Sequence, residues 1–223
     1  GVKPVLEAPQ AASPNRFRGI RHTVTWDDNP GVENTPAHKI KGQMSSDSFR
    51  AGAKVLAGMG HSLEGWMFFT QLEELAEFAK AVPDLTIILC HVGGLLGTGP
   101  YAGRIDEVKA TWTKGIAAAA AQPNIYMKIG GIGMPSVGFD WHLRDKPIGS
   151  EELASNMAPI VNHCIEQFGP SRCMFESNFP VDKVSYSYNV MYNAFKRITK
   201  DHSASERAEM FHDVAAKVYR VDV

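Results

Sequence analysis

Polar side chains follow a short apolar run near the end of the chain. Residues 173–175 are apolar, and Glu176 and Asn178 come directly after them. A buried parallel strand that delivers polar groups at its carboxyl end has this pattern. Glu176 offers a carboxylate that could move a proton, and Asn178 offers an amide that could bind a substrate. We predict a catalytic site there. The alternatives are an ion pair for Glu176, which we prefer for that residue, and a turn-forming role for Asn178.

His91 stands at the end of the clearest strand pattern in the chain, residues 85–90, and directly before a glycine-rich loop. The alternative is a histidine that is simply hydrogen-bonded in a loop. Because this position is a strand tip, we predict that His91 is catalytic.

Four further side chains are predicted to bind substrate: Arg21, His22, Trp66 and Lys128. Arg21 offers a fork of donors for a carboxylate or a carbonyl oxygen, with a loop salt bridge as the alternative. Lys128 lies inside an apolar strand, so it must face a substrate, an ion-pair partner or, by snorkelling, the solvent. Trp66 is as well suited to the core as to a pocket wall.

Long loops at these strand tips would roof a pocket. They carry Trp141, His142, Asp182 and Lys183. Asp182 is the first carboxylate after Asn178, and we expect it to be a solvated loop acid.

The elements that must position these residues alternate along the chain. Strand patterns cover residues 17–24, 63–69, 85–90 and 125–129, and a last strand is predicted to begin at residue 173 and to carry Glu176 and Asn178 on the same face, with helical patterns between and after them. Helix N-caps are predicted at Ser150 and Ser203. This alternation predicts an α/β fold with a parallel sheet. Five strands make either an open sheet or part of a barrel, since a closed (β/α)8 barrel has eight.

The totals suit one globular domain over residues 1–223. The chain has a net charge of -1 and 44% hydrophobic residues, which indicates no nucleic-acid partner and a substantial core. No apolar run is long enough to cross a membrane. The three cysteines are widely spaced, so we predict inert core thiols and a cytoplasmic location.

Four segments in this order resemble the amidohydrolase-related (amidohydrolase-2) group of TIM-barrel hydrolases. They are residues 17–22, 83–94, 124–131 and 172–180, and a closing helix at residues 208–219 completes the resemblance. The group includes sugar lactonases, 2-pyrone-4,6-dicarboxylate lactonase and, more distantly, metal-dependent decarboxylases. The resemblance implies a (β/α)8 TIM barrel of which this chain holds the last five β/α units. It also implies that His91 and Asn178 are metal ligands.

Two features depart from that group. Its members carry a His-x-His metal motif on the first strand, and this sequence contains none. Its last strand usually ends with an aspartate that serves as metal ligand and base, whereas this chain has Asn178, which cannot act as a carboxylate base. A divalent metal (zinc or manganese) and a metal-independent site therefore both stay open.

The resemblance implies a hydrolase that acts on a lactone or a similar cyclic ester. Two alternatives stay open: a truncated barrel that binds ligand without catalysis, and a metal-dependent decarboxylase on the same scaffold. We expect a small-molecule substrate. Because five units would leave open sheet edges, we also expect a homo-oligomer or association with a missing N-terminal portion.

Overall fold

The computed structural model describes residues 1–32 and 40–221. The Asn, Pro and Gly residues that follow the first strand pattern predict a loop to about residue 43, and part of that loop lies outside these ranges. Within them the strands are β1 (Gly19–Thr23), β2 (Ser62–Trp66), β3 (Ile87–Leu89), β4 (Ile125–Ile129) and β5 (Cys173–Phe175). The helices are α1 (Lys3–Ala12), α2 (Asp47–Gly58), α3 (Leu72–Ala81), α4 (Ile105–Ala120), α5 (Ser150–Phe168), α6 (Tyr188–Ile198), α7 (Ala204–Ala208) and α8 (Val214–Tyr219).

The strands form one parallel sheet in the order β1-β2-β3-β4-β5. Neighbouring strands in the sheet are therefore consecutive in the chain, and a helix joins each pair, as right-handed crossover units require. The register places Arg21 beside Glu64, and Lys128 beside Met174. The predicted α/β class with a parallel sheet is thus confirmed.

Each face of the sheet has its own apolar core. Ile87, Leu89 and Met127 belong to the large core that α2 to α6 cover. Ile88 and Met174 point to the opposite face, because successive strand residues alternate. There they pack against Val214 and Val218 of α8. We call this second face, which also carries Arg21, Glu64 and Lys128, the inner face.

Helix ends differ in detail from the sequence prediction. Ser203 caps α7 as predicted, and Glu206 completes a reciprocal capping box. The prediction of Ser150 as a cap is wrong: Gly149 is the cap residue, Ser150 is the first residue of α5, and its hydroxyl accepts a hydrogen bond from Arg197. The last helical pattern is interrupted by a π-turn at Glu209–Asp213, which separates α7 from α8.

No helix among the described residues is long and apolar enough to span a membrane.

Candidate active site

His91 is the centre of a chain of hydrogen bonds on the inner face. Its Nδ1 lies 2.5 Å from Oε1 of Glu176, and its Nε2 lies 2.8 Å from Nη2 of Arg21. A guanidinium can only donate, so Nε2 accepts, and the hydrogen of the ring is on Nδ1 and points to Glu176. We call Arg21, His91 and Glu176 the His91 group. The histidine is 2% exposed, whereas Arg21 is exposed to solvent.

Strained backbone holds His91 in place. The φ angles of His91 and Val92 are 55° and 47°, in the left-handed region that non-glycine residues avoid. Each such residue costs on the order of 1–3 kcal/mol, so the surrounding structure must enforce it. Trp112 contributes by donating from its indole nitrogen to the carbonyl of Val92 at 2.7 Å. Strain of this kind is frequent at functional sites, and it supports a site role for His91.

The loop after β4 packs directly against the His91 group. A Cβ atom at Gly131 would lie 2.7 Å from the His91 ring, and one at Gly130 would collide with the Glu176 side chain. Gly131 also has a φ of 66°. Glycine is therefore needed at both positions, because the site side chains occupy the space that a side chain would take.

Lys128 belongs to a second charged group on the inner face. Its Nζ lies 2.9 Å from Oε1 of Glu64 and 3.8 Å from Oε2 of Glu176. Tyr219 of α8 donates its hydroxyl to the same Glu64 oxygen. We call Glu64, Lys128 and Tyr219 the Lys128 group. Of the alternatives for Lys128, the ion pair is the one observed, and its shorter contact is with Glu64 rather than Glu176. The predicted substrate-binding role of Lys128 stays a prediction.

Mutual attraction decides the protonation states in the Lys128 group. Burial acts to raise the pKa of Glu64, but the hydrogen bond and charge of Lys128 outweigh it and leave the pKa lowered. Burial acts to lower the pKa of Lys128, but negative neighbours, including Glu176, raise it. Both groups therefore stay charged at neutral pH. Sequence reasoning missed Glu64, although a carboxylate inside a strand pattern was a usable signal.

The expectation that Asp182 is a solvated loop acid is wrong. Asp182 is 0% exposed and accepts three hydrogen bonds. The donors are the side-chain amide of Asn178 at 2.7 Å, the hydroxyl of Tyr186 at 2.8 Å and the backbone N–H of Gly133 at 3.0 Å. Burial raises its pKa, although these hydrogen bonds act in the opposite direction. Sequence position did not reveal this burial, because Asp182 lies in a 3-10 turn between Val181 and Lys183, both of which are exposed.

Not every predicted residue joins the His91 group. His22 follows Arg21 in the strand and so points to the other face. There its Nε2 lies 3.0 Å from the side-chain amide nitrogen of Gln43, and its ring lies 5.7 Å from that of Phe49. The strand alternation that placed Glu176 and Asn178 on one face also does not apply, because β5 ends at Phe175. Asn178 has a φ of 50° and bonds Asp182 instead.

A cavity of about 530 Å³ lies at the carboxyl ends of the strands, and none of Arg21, His91 and Glu176 lines it. Trp66 connects this cavity to the His91 group: it lines the cavity, and its ring stands edge-on to the His91 ring at 4.7 Å. His142 lines the wall as predicted, while Trp141 is buried and stacks on Phe139. Other lining residues are Phe68, Leu96, Pro135 and Asp140. The cavity has the size and mixed lining of a small-molecule site.

One family model matches nearly the whole chain. The model of the Amidohydro_2 family, described as amidohydrolase, matches residues 4–221. The chain belongs to the amidohydrolase family. The resemblance inferred from the sequence is thereby confirmed.

Two relatives match most of the length of this chain. The uncharacterized protein y4mH of Sinorhizobium fredii is 36% identical over 92% of this chain and 61% of its own length. The L-fucono-1,5-lactonase of Burkholderia multivorans is 23% identical over 96% of this chain and 68% of its own length. This chain therefore spans about three fifths to two thirds of the length of these relatives.

A solved amidohydrolase from Burkholderia multivorans with bound zinc has the same fold. It superposes with a TM-score of 0.74 at 23% identity, covering 97% of this chain and 71% of the other. Because this identity is low, the likeness concerns the fold.

The described residues of this amidohydrolase do not by themselves fit a metal ion. Within residues 1–32 and 40–221, no group of three or more His, Cys, Asp or Glu side chains could hold one. The Nε2 atom of His91, the nitrogen left for a ligand bond, faces the guanidinium of Arg21. The NH2 group of Asn178 is bonded to Asp182, so only its amide oxygen could bind a metal. The implied ligand pair His91 and Asn178 is not tested by these contacts, and metal dependence stays a prediction.

Proposed function

We propose that this member of the amidohydrolase family hydrolyses a lactone or a similar small cyclic ester. The observation that carries the proposal is the chain of hydrogen bonds through Arg21, His91 and Glu176, which Trp66 connects to the cavity at the strand tips. A carboxylate that holds a histidine, with a cation next to the histidine, is a suitable arrangement for activating water at a carbonyl. The lactonase relative supports the choice of a cyclic ester.

Glu176 sets the histidine for proton transfer in this proposal. It accepts the Nδ1 hydrogen of His91, which leaves the lone pair of Nε2 for a proton from water. The carboxylate thus lies two residues before Asn178, the position where the family usually has its aspartate. In this arrangement the base is the imidazole of His91, which the carboxylate of Glu176 orients, and not a carboxylate.

Arg21 has to change partner during the reaction. In the structure its Nη2 donates a hydrogen bond to the Nε2 lone pair of His91, which is therefore not available to water. Because Arg21 is exposed, it can turn toward the substrate carbonyl and release Nε2. Arg21 then binds the oxygen on which negative charge develops.

The bond changes balance as follows. A water oxygen bonds to the carbonyl carbon while Nε2 of His91 takes one water proton, and the carbonyl electron pair moves to its oxygen beside Arg21. The ring carbon–oxygen bond then breaks as the carbonyl re-forms. The leaving ring oxygen takes the proton from Nε2, and the product is the open hydroxy acid.

Hydrolysis of L-fucono-1,5-lactone, followed as acid release by pH-stat, tests this proposal. We expect turnover by the wild type and a loss of kcat/KM of about 10³-fold in His91→Asn, which removes the proton acceptor. His202→Gln, an imidazole outside the site, is the matched control and should keep wild-type activity. No turnover above the uncatalysed rate on this lactone or on a panel of other lactones would sink the proposal.

We also propose that the five β/α units are part of an eight-unit barrel. Within the described residues β1 and β5 are the outermost strands of the sheet, and edge strands are the places where a sheet can pair with another strand. Either a second copy of this chain or polypeptide that supplies further β/α units would cover these edges. Light scattering at micromolar concentration tests self-association, and a strictly monomeric species would rule out the second copy.

A further inference from the structure

A buried hydrogen-bond network reaches the glycine-rich loop that packs against the His91 ring. It joins the 3-10 turn that follows β5 to the loop that follows β4. Oδ1 of Asp182 accepts from the side-chain amide of Asn178, and Oδ2 accepts from Tyr186 and from the backbone of Gly133. The Ser185 hydroxyl donates to the carbonyl of Gly133 at 2.6 Å. Gly133 is two residues from Gly131, which packs against the His91 ring.

The network has one donor–acceptor pattern that satisfies it. All three groups that reach Asp182 are donors, so residue 182 must accept on both oxygens. An amide carries its oxygen and its NH2 group on opposite sides of the same carbon. Asn178 turns its NH2 group to Asp182, so its oxygen is the group that points away from Asp182.

We infer that Asp182 is a positioning residue that fixes the amide of Asn178 with its oxygen, not its nitrogen, as the group available to the site. Position 178 thereby acts as a hydrogen-bond acceptor for a water or a substrate hydroxyl. The same geometry explains why residue 178 is an amide in this chain. A carboxylate there would face the Asp182 carboxylate at 2.7 Å with no hydrogen between them.

Exchanging the two residues tests the inference without any substrate. Asn178→Asp should lower the thermal midpoint by on the order of 5 °C, because the buried carboxylate of Asp182 then faces a second acceptor. The double variant Asn178→Asp with Asp182→Asn restores a donor between the positions. The amide oxygen introduced at position 182 still accepts from Tyr186 and Gly133, so the midpoint should return to within about 2 °C of the wild type.

The single variant Asp182→Asn distinguishes a role of Asp182 in positioning the Asn178 amide from a role in supporting the fold alone. Here Asn178 can turn its amide over and keep the hydrogen bond, so we expect a smaller midpoint loss than in Asn178→Asp. The turned amide then presents NH2 to the site. Asn193→Asp, at an exposed position on α6, is the matched control and should leave the midpoint unchanged. A double variant as unstable as Asn178→Asp would overturn the inference.

An activity measurement extends the test, and this part rests on the proposed function. On L-fucono-1,5-lactone, kcat should fall at least about tenfold in Asp182→Asn and recover in the double variant, which again offers an oxygen at position 178. A residue that only supports the fold would not show this rescue. Wild-type kcat in Asp182→Asn would overturn the acceptor role. Absence of turnover in the wild type would defeat the proposed function, while the midpoints would still decide the positioning.

Discussion

The His91 group and the Lys128 group lie on the same face of one sheet but differ in how their charges are held. In the Lys128 group, the lysine and Glu64 side chains are 11% and 16% exposed, and Tyr219 closes the pair from α8. In the His91 group the histidine is buried, but its cationic partner Arg21 is exposed. An ion pair that is shielded from solvent suits structural support, whereas an exposed cation that can change its partner suits catalysis. The following predictions probe that difference, from the largest expected effect to the smallest.

Glu176→Gln should have the largest effect on the His91 group. A neutral amide can donate as well as accept, so it permits the tautomer with hydrogen on Nε2, which cannot take a proton from water. We expect kcat/KM on a hydrolysed lactone to fall by on the order of 10³-fold. Glu166→Gln, at an exposed carboxylate on α5, is the control. A loss below about tenfold would mean that Glu176 does not set the tautomer of His91.

Arg21→Met should lower activity without lowering stability. Loss of the cation removes a donor from the developing oxyanion, and we expect kcat to fall about 10²-fold. Because Arg21 is exposed, the thermal midpoint should stay within about 2 °C of the wild type. Kinetics and thermal unfolding on the same preparation measure both quantities, with Arg16→Met as the control. A large midpoint loss with unchanged kcat would reverse our assignment of the two groups.

Lys128→Met should do the opposite and lower stability. It leaves Glu64 with the Tyr219 hydroxyl and the weakly donating Cys90 thiol but no cation in contact. We expect a loss of about 2 kcal/mol in the free energy of unfolding, a figure reduced for the partial exposure of the pair. Adding Glu64→Gln should recover part of that loss. Urea unfolding measures it, with the exposed Lys183→Met as control. Failure of the double variant to recover would indicate that lost packing, not an unpaired charge, is the cause.

The Lys128 group also predicts a dependence of stability on pH. The pKa of Glu64 is lowered in the folded protein, so its contribution is present above the unfolded-state pKa of about 4.3 and is lost as pH falls through the lower folded value. In Lys128→Met this lowering disappears. The variant should therefore lose less stability than the wild type when pH falls from about 5 to about 3. Parallel wild-type and variant curves over that range would contradict the assignment.

Cysteine labelling should give the smallest signal. Burial raises the pKa of Cys90 and of Cys173 to about 12, so neither thiol should react in the folded wild type. Cys90 lies 3.8 Å from Glu64, so its labelling reports opening of the Lys128 group. We expect faster alkylation of Cys90 in Lys128→Met, with Cys173 as the internal control in the same mass spectrum. Equal rates at both thiols would indicate global unfolding instead.

Local patterns were sufficient for the elements and for part of the site. Period-two and helical spacing predicted the parallel strands, and the polar ends of those strands identified Arg21, His91 and Glu176 as site candidates. Strand ends were less certain: β3 is confined to Ile87–Leu89 within the predicted residues 85–90. The apolar run is longer than the paired segment because the left-handed turn at His91 and Val92 ends the ladder early.

The contacts of each side chain were decided by the tertiary structure. Arg21 and His22 are adjacent polar residues, and the direction of the pleat alone sends one to His91 and the other to Gln43. Asp182 resembles a surface acid in the sequence, but the docking of its turn against the loop at Gly133 buries it.

The sequence by itself determined the family and the α/β alternation, because both depend on residue order and local periodicity. It also determined which residue types stand at the strand tips. Only the tertiary structure decided that Glu64 pairs with Lys128 and Tyr219, and that Glu176 holds His91. Those partners are up to 155 residues apart. Their meeting depends on strand register and on helix docking, which arise from the packing of the whole chain and not from any local pattern.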